Sequence, residues 1–430
     1  MILSLYRAST ALGAPLIDVL LRRRISAGRE DRERFTERKG IPSQLRPPGP
    51  LIWFHAASVG ESLSVLPVIE SLRRARPGLA VLVTTGTVSS ATLLRRRLPT
   101  GVVHQYVPVD RIRWVRRFLE YWRPALAIWV EQDLWPNLVT ATADAGVPMI
   151  LLNARMSGRS LAGWQRWPGA IRNLLECFDL CLAQSTEQAD RFRELGAADA
   201  VSIGNLKFAA PPLPVDPVTL AAFEAEVADR PLWLAASVHP GEESAVVSAH
   251  AAVASSYPGL LTVIVPRHPQ RAETFAAAGR IAGLDVARRS AGDRITRGTD
   301  LYIGDTMGEL GLFYRAAPFT FVGGSLVPHG GQNPIEPARL GRPVILGPWI
   351  ENFAGVAEAL RNAGAAVVLE DTDDLGTIVN SLLGDPARCS RMAAAAARVA
   401  EDEATVLQRV LAALAPYLDR AECECNDSAP

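Results

Sequence analysis

The stretch Leu51-Ile52-Trp53-Phe54-His55-Ala56-Ala57-Ser58-Val59-Gly60-Glu61 decides the fold. An almost unbroken apolar run gives way to small residues, and a helical pattern follows over about 62–76. A strand with no polar alternation is buried on both faces, as in parallel sheets covered by helices. The same alternation continues outward, with strands expected at 80–84, 102–107, 126–130, 148–152 and 179–183. It breaks at 208–217, a Pro- and Ala-rich stretch with the composition of a stiff linker. It then resumes, with strands expected at 232–236, 260–265, 301–304, 319–322, 343–346 and 366–369. The expectation is an α/β chain of two Rossmann-like domains, 47–210 and 211–418, facing a cleft, followed by a polar, disordered tail at 419–430.

A length of 430 residues suits two cores, and 48% hydrophobic content is enough to fill both. The 45 basic residues equal the 45 acidic ones, so overall charge gives no support to a nucleic-acid partner. Five cysteines are too few and too scattered for a disulfide framework, which fits a reducing compartment. Cys423 and Cys425 fall in the tail and lack partners for a metal site. Lys occurs only at 39 and 207, all other basic residues being Arg, so Lys207 needs a reason.

Residues 1–21 are apolar apart from Arg7, Asp18 and a few small polar residues, are interrupted by Pro15, and precede Arg22-Arg23-Arg24. The charge follows the apolar run and no small-residue cleavage site precedes it, which speaks against a signal peptide. Residues 1–46 hold ten Arg or Lys against five Asp or Glu. Segment 1–46 is therefore expected to be an interfacial or weakly inserted anchor on anionic lipid, on the cytoplasmic side of the membrane, the alternative being an ordinary amphipathic helix packed on the first domain. Segment 111–123, with five Arg beside Trp114, Phe118 and Trp122, is either a solvated helix face or a second membrane contact.

Open α/β sheets bind ligands beyond the carboxyl ends of their strands, and the chemically informative residues follow the expected strands. Ser58 can cap the first helix, and Glu61 either complements that helix's dipole or acts as a general base toward a hydroxyl. Glu131, in Glu131-Gln132-Asp133-Leu134-Trp135-Pro136-Asn137, is either structurally paired or functional, whereas Asp133 suits a helix N-terminus. Lys207, in Gly204-Asn205-Leu206-Lys207-Phe208, can sit beside developing negative charge or a sugar carboxylate. In the second half, residues 235–243 read as a substrate loop and Arg267 offers a fork for phosphate. Residues 304–310 form a strand-to-helix turn whose free amides suit an anion. The densest signal is 321–338, with four glycines within nine residues, which lets a nucleotide lie against the backbone. There Asn333 and Glu336 can bind base or ribose. His329 has no second His or Cys at ligand spacing, so no metal is expected, nor any cofactor.

Taken in order, His55–Glu61, Glu131–Asn137, Asn153-Ala154-Arg155, Gly204–Phe208, Arg267-His268-Pro269, Gly304–Leu310 and Gly323–Ala338 resemble the 3-deoxy-D-manno-octulosonic acid (Kdo) transferases. The resemblance implies the glycosyltransferase-B architecture with an N-terminal membrane-associated helix. It implies an inverting glycosyltransferase of lipopolysaccharide biosynthesis. The donor would be CMP-Kdo, the acceptor a lipid A precursor such as lipid IVA, and the location the cytoplasmic side of the cell inner membrane. By the same resemblance Glu61 is the general base, while Glu131 and Lys207 stabilise the transition state. Arg267, His268, Met307, Gly308, Glu309, Asn333, Pro334, Ile335 and Glu336 would contact CMP. Asp133, Gln332 and Ala209 depart from the residues usual at those places, Glu, His and Asp. The alternatives are a sugar-nucleotide 2-epimerase on the same architecture and a lipid-binding protein without activity.

Overall fold

The computed structural model describes residues 2–209 and 212–426, with the side chains at 159 and 424–426 excepted. Residues 210 and 211 of the expected linker, the Cys425 side chain and the last four residues of the expected tail lie outside that description.

The chain divides into two compact units, Met1–Ala210 with Thr405–Pro430, and Pro211–Ala404. The first unit holds seven strands: β1 (Leu51–His55), β2 (Ala80–Thr85), β3 (Val102–Tyr106), β4 (Leu126–Val130), β5 (Met149–Ala154), β6 (Leu180–Ala183) and β7 (Ala200–Ser202). They pair in the order β3-β2-β1-β4-β5-β6-β7, every pairing parallel. The second holds β8 (Leu232–Val238), β9 (Leu261–Pro266), β10 (Val286–Arg288), β11 (Leu301–Ile303), β12 (Thr320–Val322), β13 (Val344–Leu346) and β14 (Ala366–Val368). Their order is β10-β11-β9-β8-β12-β13-β14, again all parallel. Each sheet is covered on both faces, since residues from its central strands divide between two apolar clusters: Trp53 and Trp129 on one side of the first sheet, Phe54 and Ile128 on the other. This two-faced burial is why the strand sequences carry no polar alternation.

Twelve of the fourteen strands fall on the expected apolar runs. The two that do not, β7 and β10, are edge strands of three residues, partly exposed and of mixed polarity. They lack the continuous apolar signal that marks the interior ones.

The C-terminal boundary is corrected by the structure. The helix Val406–Asn426 buries Val406, Val410, Leu414, Leu418 and Ala421 in the core of the first unit. Residues 405–418 therefore leave the second domain, and 419–426 form helix instead of a disordered tail. Arg76 fixes that end through ion pairs to Asp419 and Glu422. The apolar stripe announces a buried helix but does not say which sheet it covers.

At the other end, Ile2–Leu12 and Ala14–Ser26 are separate helices broken at Gly13, with a proline in the second helix's first turn. Among the described residues no helix is long and apolar enough to cross a membrane. The first helix docks on the unit through Arg7 to Thr140 (3.0 Å) and through Asn137 to Thr10 (3.1 Å). Leu5, Leu12, Leu16, Val19 and Leu20 remain exposed. In the helix Ile112–Trp122 the aromatic residues Trp114, Phe118 and Trp122 are all buried in the core. Arg113 and Arg116 thus lie on the polar face of an ordinary amphipathic helix, and the aromatic residues of this segment are not available to a membrane.

Candidate functional site

Strand order reverses between β1 and β4 in the first unit and between β8 and β12 in the second. A crevice opens beyond the carboxyl ends of the strands at such a point, because the helices leaving the two strands go to opposite faces.

After β1, Ser58 caps the helix Val59–Ala75 by accepting the Glu61 amide (3.3 Å). The Glu61 carboxylate turns back to accept the Ala57 amide at Oε2 (2.7 Å) and the Ser58 hydroxyl at Oε1 (2.8 Å). This is a capping box whose acidic arm reaches one residue further upstream than usual. Burial raises the Glu61 carboxyl above the ordinary range and the Glu131 charge adds to the rise, against the pull of Ser58, His55 and Ala57. An elevated but titratable carboxyl suits a proton acceptor working near neutrality. The dipole and base roles are therefore compatible, since the capping bonds also fix the carboxylate's direction.

Glu131, directly after β4, has φ +64, and Asn153, within β5, has φ +57. Left-handed backbone at non-glycine residues costs on the order of 1 kcal/mol or more each and persists only where surroundings enforce it. Here the Glu131 amide still completes the sheet by donating to Leu152 (2.9 Å), so the turn comes at the last paired residue. Buried Asn153 accepts the Leu206 amide at Oδ1 (3.0 Å), and Asn205 accepts the Lys207 amide (3.0 Å). These bonds set the short turn Leu206–Ala209. It presents Lys207 Nζ 3.0 Å from Glu131 Oε1, both side chains being less than a fifth exposed. Removing one member of such a pair leaves the other charge poorly solvated. Lys207→Met is expected to destabilise the first unit by about 1–3 kcal/mol, with partial recovery on adding Glu131→Gln. Urea unfolding of the single and double variants checks this, and equal loss in both would contradict it.

His55 is fully buried. Its Nδ1 lies 3.0 Å from Thr84 Oγ1, which accepts from Trp53 Nε1 (2.8 Å), and its Nε2 lies 3.1 Å from Asp133 Oδ2. An ionised carboxylate can only accept, so the proton belongs on Nε2 and the Thr84 hydroxyl donates to Nδ1. Burial works to raise the Asp133 carboxyl, but His55 and the Trp135 indole outweigh it and hold the group below its ordinary range. Asp133 therefore does not serve the helix N-terminus, as its position in the sequence suggests. Asp110 does, accepting the amides of Asn137 (3.0 Å) and Leu138 (2.7 Å).

In the second unit the loop after β8 and the glycine-rich loop after β12 are tied by Glu242, which is fully buried. Its Oε2 accepts the amides of His239 (2.7 Å) and Gly324 (2.8 Å), and its Oε1 those of Ser325 (3.0 Å) and Leu326 (2.8 Å). A Cβ at Gly323 would lie 2.6 Å from the Ser237 carbonyl oxygen and 2.8 Å from Glu242 Oε2, so only glycine fits. Arg267 and His268 stand exposed after β9, with the Arg267 amide donating to Val238 (2.9 Å). After β11, Met307 is 82% exposed and Gly308 has φ +86. The Arg289 guanidinium beside Glu309 holds that carboxyl below its usual range, and Thr306 also donates to it. After β12, Asn333 accepts the Ile335 amide (3.1 Å) and donates to Glu336 (3.3 Å), while Pro334 and Ile335 are buried. Burial lifts the Glu336 carboxyl, against the pull of Asn333 and Arg267.

All nine expected nucleotide contacts thus follow the carboxyl ends of β9, β11 or β12 in the second sheet, and Glu61, Glu131 and Lys207 come together in the first. Arg289 was not singled out by the sequence, and His239 and Glu242 were read only as part of the expected substrate loop 235–243. Arg289 follows an edge strand without an apolar signal, and Glu242 resembles any first-turn acid. The rings of His239, His268 and His329 converge from three loops, with centroids 4.0 Å and 6.2 Å from that of His239. Among the described residues no group of His, Cys, Asp and Glu is placed to hold a metal ion.

Residues 33–210 match the family model described as 3-Deoxy-D-manno-octulosonic-acid transferase (kdotransferase). An Arabidopsis thaliana protein named "Probable 3-deoxy-D-manno-octulosonic acid transferase, mitochondrial" is 37% identical, over 89% of this chain and 88% of its own length. A 3-deoxy-D-manno-octulosonic acid transferase of Bordetella pertussis is 35% identical, over 94% of this chain and 97% of its own length. Among solved structures, a UDP-GlcNAc 2-epimerase from Neisseria meningitidis bound to UDP-GlcNAc aligns with a TM-score of 0.58 at 14% identity, covering 86% of this chain and 100% of that one. That likeness shows the fold alone, two Rossmann-like units in the glycosyltransferase-B architecture. With 35–37% identity to named transferases over nearly the full length of both chains, and the strand-end motifs now seen at the carboxyl ends of both sheets, the chain belongs to the 3-deoxy-D-manno-octulosonic acid transferase family of glycosyltransferases.

Proposed function

We propose that this chain transfers Kdo from CMP-Kdo to a hydroxyl of a lipid A precursor, lipid IVA being the expected acceptor, with inversion and with Glu61 as general base. The observation that carries the proposal is the Glu61 carboxylate. It lies at a topological switch point, is oriented by two hydrogen bonds, is raised by burial and by Glu131, and belongs to the unit that also holds the Glu131–Lys207 pair. In this reading Glu61 takes the proton of the acceptor hydroxyl as its oxygen attacks the anomeric carbon. The bond to the CMP phosphate breaks in the same step, so no covalent intermediate forms. Lys207 balances negative charge on the reacting sugar, including its carboxylate, and Glu131 fixes the ammonium. In the second unit Arg267 takes phosphate oxygens, His268, Met307, Gly308 and Glu309 lie along the nucleotide, and residues 333–336 bind base or ribose. The pathway is lipopolysaccharide assembly at the cytoplasmic face of the inner membrane. The exposed leucines of the first two helices and the Arg22-Arg23-Arg24 cluster support that location.

Purified protein incubated with CMP-Kdo and lipid IVA is expected to yield lipid IVA heavier by one or more Kdo units, read by mass spectrometry. Release of CMP without a glycosylated lipid would overturn the acceptor, and conversion of UDP-GlcNAc at its C2 would overturn the reaction class. Flotation with anionic liposomes, with and without residues 1–24, tests location. Binding is expected for the full chain and is expected to weaken on truncation; no binding by either form would sink the membrane assignment.

A further inference from the structure

His239 lies in the expected substrate loop 235–243 but has no role of its own so far, and it sits at the second unit's switch point. It follows β8 directly, after a register irregularity between Ala236 and Val238 and after Ser237, which holds a left-handed φ of +54. Such features re-aim the next side chain and persist where the surroundings enforce them. Its backbone amide is fixed by Glu242 Oε2 (2.7 Å). Its ring is fixed as well, lying against His329 at a 4.0 Å centroid distance and 35°, with Nε2 3.0 Å from the Gln332 side-chain nitrogen. A Cβ on Gly324 would come within 3.1 Å of His239 Cδ2 and 3.4 Å of Gln332 Cγ, so the glycine-rich loop is bare where this pair occupies the space.

The contact with Gln332 decides where the proton sits. An amide nitrogen can only donate, so His239 Nε2 accepts and the ring carries its hydrogen on Nδ1. Burial, helped by His329, Arg267 and His268, pushes the imidazole down to about 4, so at neutral pH it is an uncharged donor in a fixed direction. Nδ1 has no protein partner among the described residues, and it is not among the buried polar atoms without one. Near the His239 ring stand the exposed His268, 6.2 Å away from centroid to centroid, and Arg267, whose charge both His239 and Glu336 feel. A fixed N–H at a strand's carboxyl end, beside a guanidinium, is a site for an anionic oxygen.

We propose that His239, oriented by Gln332, Glu242 and His329, binds an anionic oxygen of the sugar-nucleotide donor through its Nδ1 hydrogen. The proposal rests on the assignment of the donor site to the second unit. Two oxygens share this chemistry, those of the nucleotide phosphate and those of the sugar carboxylate, and the test separates them.

Titration calorimetry of the full chain with CMP and with cytidine, together with the KM for CMP-Kdo, provides the test. If the phosphate is the partner, His239→Ala weakens CMP by on the order of 10- to 100-fold and leaves cytidine unchanged. If the carboxylate is the partner, CMP binding is unchanged and the KM for CMP-Kdo rises instead. His239→Asn, whose amide nitrogen can occupy the Nδ1 position, is expected to retain most of the affinity. His239→Gln, which reaches only the Nε2 position, is not. A folded His239→Ala protein with parental CMP affinity and parental KM overturns the proposal, as does rescue by Gln equal to rescue by Asn. If Arg267→Ala still abolishes CMP binding in that case, the donor assignment survives while the role of His239 fails. Failure of the parent chain to bind CMP would sink the donor assignment itself.

Discussion

Glu61→Gln is expected to lower kcat by two to four orders of magnitude while leaving the fold intact, because general-base assistance to hydroxyl attack contributes roughly 10²–10⁴-fold. The substitution is close to isosteric. Its oxygen can keep the Ala57 amide bond, and the Ser58 hydroxyl can turn to accept from the new amide. Proton linkage points the same way. A carboxyl raised in the folded state contributes stability that is fully present at low pH and is lost as pH rises through the folded pKa. At neutral pH the ionised Glu61 is therefore a burden on the fold, and a neutral replacement relieves it. The melting temperature should stay within about 3 °C of the parent or rise slightly. In the parent enzyme the acid limb of kcat/KM should lie above the ordinary Glu value of about 4.3 and fall as protons bind. Glu131→Gln removes a like charge and should move that limb to lower pH. Initial rates with CMP-Kdo and lipid IVA across roughly pH 4–9 check all of this. A Glu61→Gln enzyme turning over at near the parental rate would remove Glu61 from the chemistry.

How much of this was legible in the sequence depends on whether the signal was local. β1, β4, β8 and β12 announce themselves because a strand buried on both faces must be apolar throughout, and β7 and β10 do not because an edge strand need not be. Ser58 and Glu61 are three residues apart in a capping arrangement, so that contact is local and readable. The Glu131–Lys207 pair joins residues 76 positions apart; Glu131 stood out by its place after a strand and Lys207 by the rarity of lysine, but nothing in the sequence joined the two. Thr84, His55 and Asp133 form a hydrogen-bonded chain across three segments, buried at Thr84 and His55 and partly exposed at Asp133, and the sequence pattern for Asp133 pointed to a helix end that Asp110 in fact occupies. The helix Val406–Asn426 carries a single apolar stripe that fits either core, so the sequence did not assign it to the first unit, and its last two turns fell in the expected tail. Family resemblance supplied Met307, an 82% exposed side chain that no physical rule would pick out.

Glu242 shows the opposite case, a residue read only as part of the loop 235–243 on which a second loop depends. Glu242→Ala would leave the amides of His239, Gly324, Ser325 and Leu326 without their acceptor in a buried setting. Each such orphan costs roughly 1–3 kcal/mol if the site stays dry, and water entry would recover part of it, so a net loss of about 3–5 kcal/mol is expected. Glu242→Gln should fall between the two, since its single oxygen serves one pair of amides and its nitrogen faces the other. The loss should register in the second unit, with hydrogen exchange at 323–326 accelerating while β1, β4 and β5 in the first unit keep their protection. Gly323→Ala attacks the same spot by driving a Cβ to 2.8 Å from Glu242 Oε2 and 2.6 Å from the Ser237 carbonyl. Two changes that break one junction cannot break it twice, so the double variant should lose clearly less stability than the sum of the singles. Strict additivity would mean that the carboxylate and the glycine-rich loop are held independently, and the positioning role of Glu242 would then fall.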